Sequence, residues 1–132
     1  MAKRCPCGSG ADDAECCAPL LAGERKAATP EQLMRSRYTA YVRGAIDYLI
    51  ATHAPERRQT VDRVEITKWT RTTLWMGLEI VSTKAGGAED AEGIVEFIAS
   101  GVTRGKPFRQ HERSLFRRDA DGAWLYVDGI LE

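Results

Sequence analysis

All four cysteines of this chain lie within its first seventeen residues, as Cys5-Pro6-Cys7-Gly8-Ser9-Gly10 and then Cys16-Cys17. No other feature limits the local fold so tightly. Disulfides fit the spacing poorly. Cys16 and Cys17 are adjacent, and Cys5 and Cys7 are too close for an unstrained bridge. A redox pair would need C-x-x-C at a helix start within a βαβ unit, which is absent. Four soft thiolates at C-x-C-x8-C-C suit a closed tetrahedral zinc site, with Cys5, Cys7, Cys16 and Cys17 as ligands. With every position filled by protein, no site remains open for a substrate, so the Zn2+ is expected to be structural.

The residues between the ligands agree with this reading. Pro6 stiffens the first pair. Gly8 and Gly10 permit backbone angles that turn amides toward sulfur. Asp12 or Asp13 can cap a short helix running through Cys16 and Cys17 toward Leu20. Lys3 and Arg4 offset part of the thiolate charge. The pattern resembles the SEC-C motif, named for the zinc-binding tail of the SecA translocation ATPase, and that resemblance implies a knuckle able to dock another protein. One position departs from it: the motif commonly carries an aromatic residue where this chain has Asp13.

The 132 residues suffice for one domain with a modest core. Lys+Arg and Asp+Glu both number 19, so the net charge gives no support for a nucleic-acid partner. No apolar run is long enough to span a bilayer, and the N-terminus leads straight into the cysteines rather than into a signal peptide's apolar stretch. A cytoplasmic protein with reduced thiols is the expectation.

Thr29-Pro30-Glu31-Gln32 reads as a helix start, with Thr29 as cap and Gln32 completing a capping box. Met34, Tyr38, Tyr41 and Ala45 recur at helical spacing, and Gly44 ends the helix. Asp47 opens a second short helix, which Pro55 stops. From Val61 the pattern changes to alternation. Val64 and Ile66 alternate with polar neighbours, and Leu74, Met76, Leu78 and Ile80 alternate with Trp75, Gly77, Glu79 and Val81. Gly86-Gly87 marks a turn, 94–99 a third strand and 108–117 a fourth. Asp121-Gly122 marks a hairpin, and a last strand over 123–127 ends at Asp128-Gly129. Helices first and a strand meander after imply an α+β domain with helices on one face of a curved antiparallel sheet.

Leu33-Met34-Arg35-Ser36-Arg37-Tyr38 with Asp47-Tyr48-Leu49-Ile50, then Glu112-Arg113-Ser114 with Phe116, then Gly122, Trp124, Tyr126, Asp128 and Gly129, resemble the signature of the YchJ family. The resemblance implies a cone-shaped fold of the SnoaL-like, nuclear-transport-factor-like kind. It divides the chain into a zinc knuckle, 1–22, and a cone domain, 23–132. Some members carry a second SEC-C motif at the C-terminus; this sequence ends at Glu132 without one, so no role needing two knuckles is expected.

Strand parity nominates an interior. Glu112, Ser114 and Phe116 share one face, as do Trp124, Tyr126 and Asp128, and Val95, Phe97 and Ala99. Arg37 lies beside them on the first long helix. Arg37 paired with Glu112 or Asp128 would only satisfy buried charge. Left unpaired, Arg37, Tyr38, Glu112, Ser114, Trp124, Tyr126 and Asp128 would form a pocket for a small-molecule ligand, or a metal-free isomerase, dehydratase or hydrolase site. His53 and His111 read as structural or solvated, and Trp69 and Trp75 as core or rim. The first expectation is a non-enzymatic interaction module whose knuckle meets a protein partner. The alternative is a binder or enzyme using the cone.

Overall fold

The computed structural model describes residues 3–131; Met1, Ala2 and Glu132, which bound the two segments read from sequence, lie outside the described residues. It is an α+β fold. A 3-10 turn, Asp13–Glu15, precedes α1 (Cys17–Leu21), α2 (Pro30–Arg43), α3 (Ile46–Ala51), α4 (Pro55–Arg58) and α5 (Arg63–Thr72). Four strands follow: β1 (Thr73–Ala85), β2 (Glu92–Thr103), β3 (Lys106–Arg118) and β4 (Trp124–Leu131). They form one antiparallel meander, β1-β2-β3-β4, whose inner face receives α2.

α2 begins and ends as its residues dictate. The Gln32 amide donates to Thr29 Oγ1 at 3.1 Å, and the Gln32 side chain accepts from the Ala28 amide at 2.8 Å. Gly44 closes the helix in the left-handed region, φ +70°. The helix buries Leu33, Met34 and Tyr38 against Val95, Phe97, Ala99, Phe116 and Trp124 of the sheet. Fully burying an apolar side chain of this size stabilises by about 1.5–3 kcal/mol. The Trp124 indole N–H also donates to Ala28 O at 3.2 Å, tying β4 to the entry of α2.

Four local expectations are corrected. Residues 63–72 are helical, not extended. The Asp62 carboxylate accepts from the Val64 and Glu65 amides and caps α5, and Val64 faces solvent. Pro55 does not merely stop α3 but opens α4. Asp12 makes no capping bond. Asp13 instead pairs with Arg43 at 2.7 Å, joining the knuckle to the end of α2.

The fourth correction concerns β4, which continues through Asp128-Gly129 to Leu131. Leu115 pairs with Asp128 but Phe116 with Tyr126, so Val127 is an extra residue, a β-bulge. The bulge reverses side-chain parity. Tyr126 stays on the inner face, whereas Asp128 leaves it and pairs with Arg57 at 2.8 Å on the surface. The chain after α3 meets the same point. Tyr126 N donates to Thr52 O and Ala54 N to Tyr126 O, both at 2.8 Å, making a short parallel bridge at His53.

Candidate functional site

The four cysteine sulfurs converge within 4.8 Å of one another. Cys7 and Cys16 Sγ are 3.7 Å apart, and Cys16 and Cys17 Sγ 3.9 Å apart. A tetrahedron of Zn–S bonds about 2.3 Å long has edges of about 3.8 Å, which these two separations match. The local chain explains the convergence. Gly8 and Gly10 take positive φ, +79° and +86°, and the Cys5 amide donates to Ala11 O at 2.9 Å, folding the first ligand pair back over the turn. Ser9, between the two glycines, places its Oγ 3.3 Å from Cys16 Sγ. Hydrogen bonding from neighbouring thiols, chiefly Cys17, draws Cys7 down to about 4, while the same bond and burial push Cys17 up. A divalent cation is the chemical means of ionising all four together.

The knuckle is not a loose appendage. Cys5, Cys7 and Cys17 are buried in the same cluster as Leu33, Met34 and Tyr38, and only Cys16 is half-buried. Cys5 Sγ lies 3.6 Å from Thr39 Oγ1, and Arg35 Nη1 donates to Cys7 O at 2.8 Å. Both partners belong to α2. Arg35 lies within the YchJ-like segment but had no assigned role; its place here follows from the i, i+4 spacing that puts Arg35 and Thr39 on one helix face.

The opposite face of α2 lines a cavity of about 160 Å³ inside the cone. Of the residues nominated from sequence, Arg37, Tyr38, Glu112 and Tyr126 line it. Three nominated residues do not. Ser114 is buried behind Glu112, to whose Oε2 it donates at 3.1 Å. Trp124 is engaged with Ala28 and with Arg118, whose Cζ stands 4.3 Å over its ring. Asp128 is carried outward by the Val127 bulge. His53, Trp69 and Trp75, read as structural, line the cavity with Tyr41, Phe97 and Gln110. The signal for His53 was its place at the end of α3, where the chain turns onto β4. The signal for Trp69 and Trp75 was the aromatic excess flanking a strand start.

Arg37 does not pair with the acids. It is 3% exposed, and its Nη1 donates to Leu49 O at 2.8 Å and Thr52 Oγ1 at 2.6 Å. Its guanidinium lies 4.6 Å over the Tyr126 ring. His53 meets the edge of that ring at 5.1 Å. Its Nδ1 is 2.8 Å from Leu49 O, which can only accept, so the neutral ring carries its proton there. Burial, then the charge of Arg37, lowers the His53 pKa. Burial raises that of Glu112, opposed by the Ser114 hydrogen bond and by Arg37. Burial and the Glu112 charge push Tyr126 up to about 12. The carboxylate has its place because of Gly129: a Cβ there would collide with Glu112 Oε1 and the Tyr126 hydroxyl. The cavity therefore holds a buried cation and a half-buried carboxylate, aromatic walls and a neutral imidazole.

A four-cysteine knuckle seated on a nuclear-transport-factor-like cone defines the class. A family model described as YchJ, middle NTF2-like domain, matches residues 29–129. A UPF0225 protein of Geobacter sulfurreducens is 46% identical over 129 residues, covering 98% of this chain and 80% of that protein. One of Chromobacterium violaceum is 43% identical over 128 residues, covering 96% and 92%. The chain belongs to the YchJ family. Among solved structures, a SEC-C motif containing protein from Rhodopseudomonas palustris matches with TM-score 0.86 at 40% identity, covering 96% of each chain. Another from Psychrobacter arcticus matches with TM-score 0.82 at 28% identity, covering 97% of this chain and 82% of that one. The cone thus lies within the matched family model, and the four cysteines positioned to hold a metal precede it, in accord with the SEC-C motif of the two solved neighbours. No helix among the described residues is long and apolar enough to cross a membrane.

Proposed function

We propose that Cys5, Cys7, Cys16 and Cys17 hold a structural zinc ion, and that the protein acts by binding a small molecule in the cone cavity. The observation that carries this reading is the unpaired state of Arg37 and Glu112. Had they been locked together in a packed interior, the cone would be only a core. Both instead line an open space without touching each other or a counter-ion. Bound zinc supplies no open coordination site. Its chemistry is to neutralise and cross-link four thiolates, and the 1–22 segment is read as folded by that cross-link against the 23–132 cone. The thiolate set favours a reducing compartment, the cytoplasm.

Docking of a protein partner through the knuckle, the first expectation from sequence, is less supported. Three of the four ligand residues are buried against the protein's own α2 and present little surface. The test is a fragment screen on the zinc-loaded full chain, read by 1H–15N NMR. Binding is expected to shift the indole signals of Trp69 and Trp75. A screen in which no fragment moves either signal overturns the small-molecule reading. Native mass spectrometry reads the metal: one zinc mass per chain is expected, and a folded, metal-free chain overturns that part.

A further inference from the structure

Arg37 is almost fully buried, yet only its Nη1 hydrogen-bonds within the described residues, and both acceptors are neutral. Burying a guanidinium without a carboxylate is costly unless something anionic reaches it. It faces no carboxylate within ion-pair distance among the described residues, although it lines the cavity. Glu112 presents the converse. Ser114 satisfies Oε2, while Oε1 stands over Gly129 beside the Tyr126 hydroxyl. Its pKa senses the charge of Arg37, so the two groups share the cavity without contact. Between them the walls are aromatic: Tyr38, Trp69, Trp75 and Phe97. The space, about 160 Å³, is close to that of a cavity of roughly 150 Å³ known to accept one benzene ring.

Resting on the reading of the cone as a small-molecule site, we infer that its ligand is a single-ring planar acid with an anionic oxygen group for Arg37 and a hydroxyl or N–H donor for Glu112. Each feature answers one observation. The ring fits the volume and the walls. The anionic group completes the arginine with a charge-assisted, bidentate-capable bond. The donor satisfies the free carboxylate oxygen. A cationic ligand is disfavoured by Arg37, and a dianion by Glu112. The cavity's own charges cancel while His53 is neutral, and an acid carrying one donor matches both Arg37 and Glu112.

The experiment compares three probes on zinc-loaded full-length protein: 4-hydroxybenzoate, 4-hydroxybenzamide and benzoate. Affinity is read from the Trp69 and Trp75 indole N–H shifts, each assigned by a Trp→Phe variant. The acid is expected to bind about tenfold or more tightly than the amide, and several-fold more tightly than benzoate. Glu112→Gln should erase the advantage over benzoate, and Arg37→Gln the advantage over the amide. Equal affinity of acid and amide overturns the inference, and this comparison stands even if Arg37→Gln fails to fold. If screened neutral or cationic fragments shift the indoles while these acids do not, the inference falls and the small-molecule reading survives. If nothing binds, both fall.

Discussion

Glu112 sits over Gly129 because no larger residue leaves room for it. Gly129→Ala is expected to cost about 1–3 kcal/mol by overpacking and to displace the carboxylate, measured by urea denaturation. The titration of Glu112 gives a second check. Burial raises its pKa, so folding favours the protonated acid. That contribution is complete below the unfolded value of about 4.3 and is lost as pH rises through the folded value. Glu112→Gln cannot ionise, so its melting temperature should rise relative to wild type as pH goes from about 4 to about 7. A constant offset between the two would show that Glu112 is not desolvated. Residue parity made Glu112 and Tyr126 legible as inward groups. It misplaced Asp128 because one unforeseen residue, Val127, broke the alternation, and a bulge leaves no mark in hydropathy. Asp13, the departure from the SEC-C pattern, turned out to have a partner of its own in Arg43.

At the scale of elements, α2 was legible from its ends: Thr29-Pro30 and Gly44 are chemical punctuation that tertiary contacts do not override. α5 was not. Val64 and Ile66 alternate, and Thr67, Thr70 and Thr72 favour strands, so local preference points the wrong way. The overlooked cue is Asp62 followed three residues on by Glu65, with Ile66 and Trp69 at helical spacing. The helix therefore leans on its cap. Asp62→Ala is expected to cost about 1 kcal/mol in global stability. It should also speed amide exchange in the first turn of α5, and through Trp69 it should loosen one wall of the cavity. Unchanged exchange across 63–66 would show that packing alone holds the helix.

Across the whole molecule, α2 is shared by two sites. Arg35 and Thr39 receive the knuckle on one side, while Met34, Arg37, Tyr38 and Tyr41 line the cavity on the other. Loss of metal should therefore reach the cone. Chelation under reducing conditions is expected to lower the melting temperature by roughly 10 °C or more. It should also shift the Trp75 indole signal, since that ring packs against the cluster that the cysteines share with α2. A chelated protein whose cavity signals are unchanged would make the knuckle an independent unit. The Val127 bulge has a consequence of its own. Were Val127 taken into the ladder opposite Leu115 instead, unbroken alternation would return Asp128 to the inner face opposite Ser114, and the interior would carry two carboxylates against one guanidinium. The same lining would then select cations. On the proposed reading of the cone, the register of a single strand pair thus encodes the sign of the charge that the cavity admits.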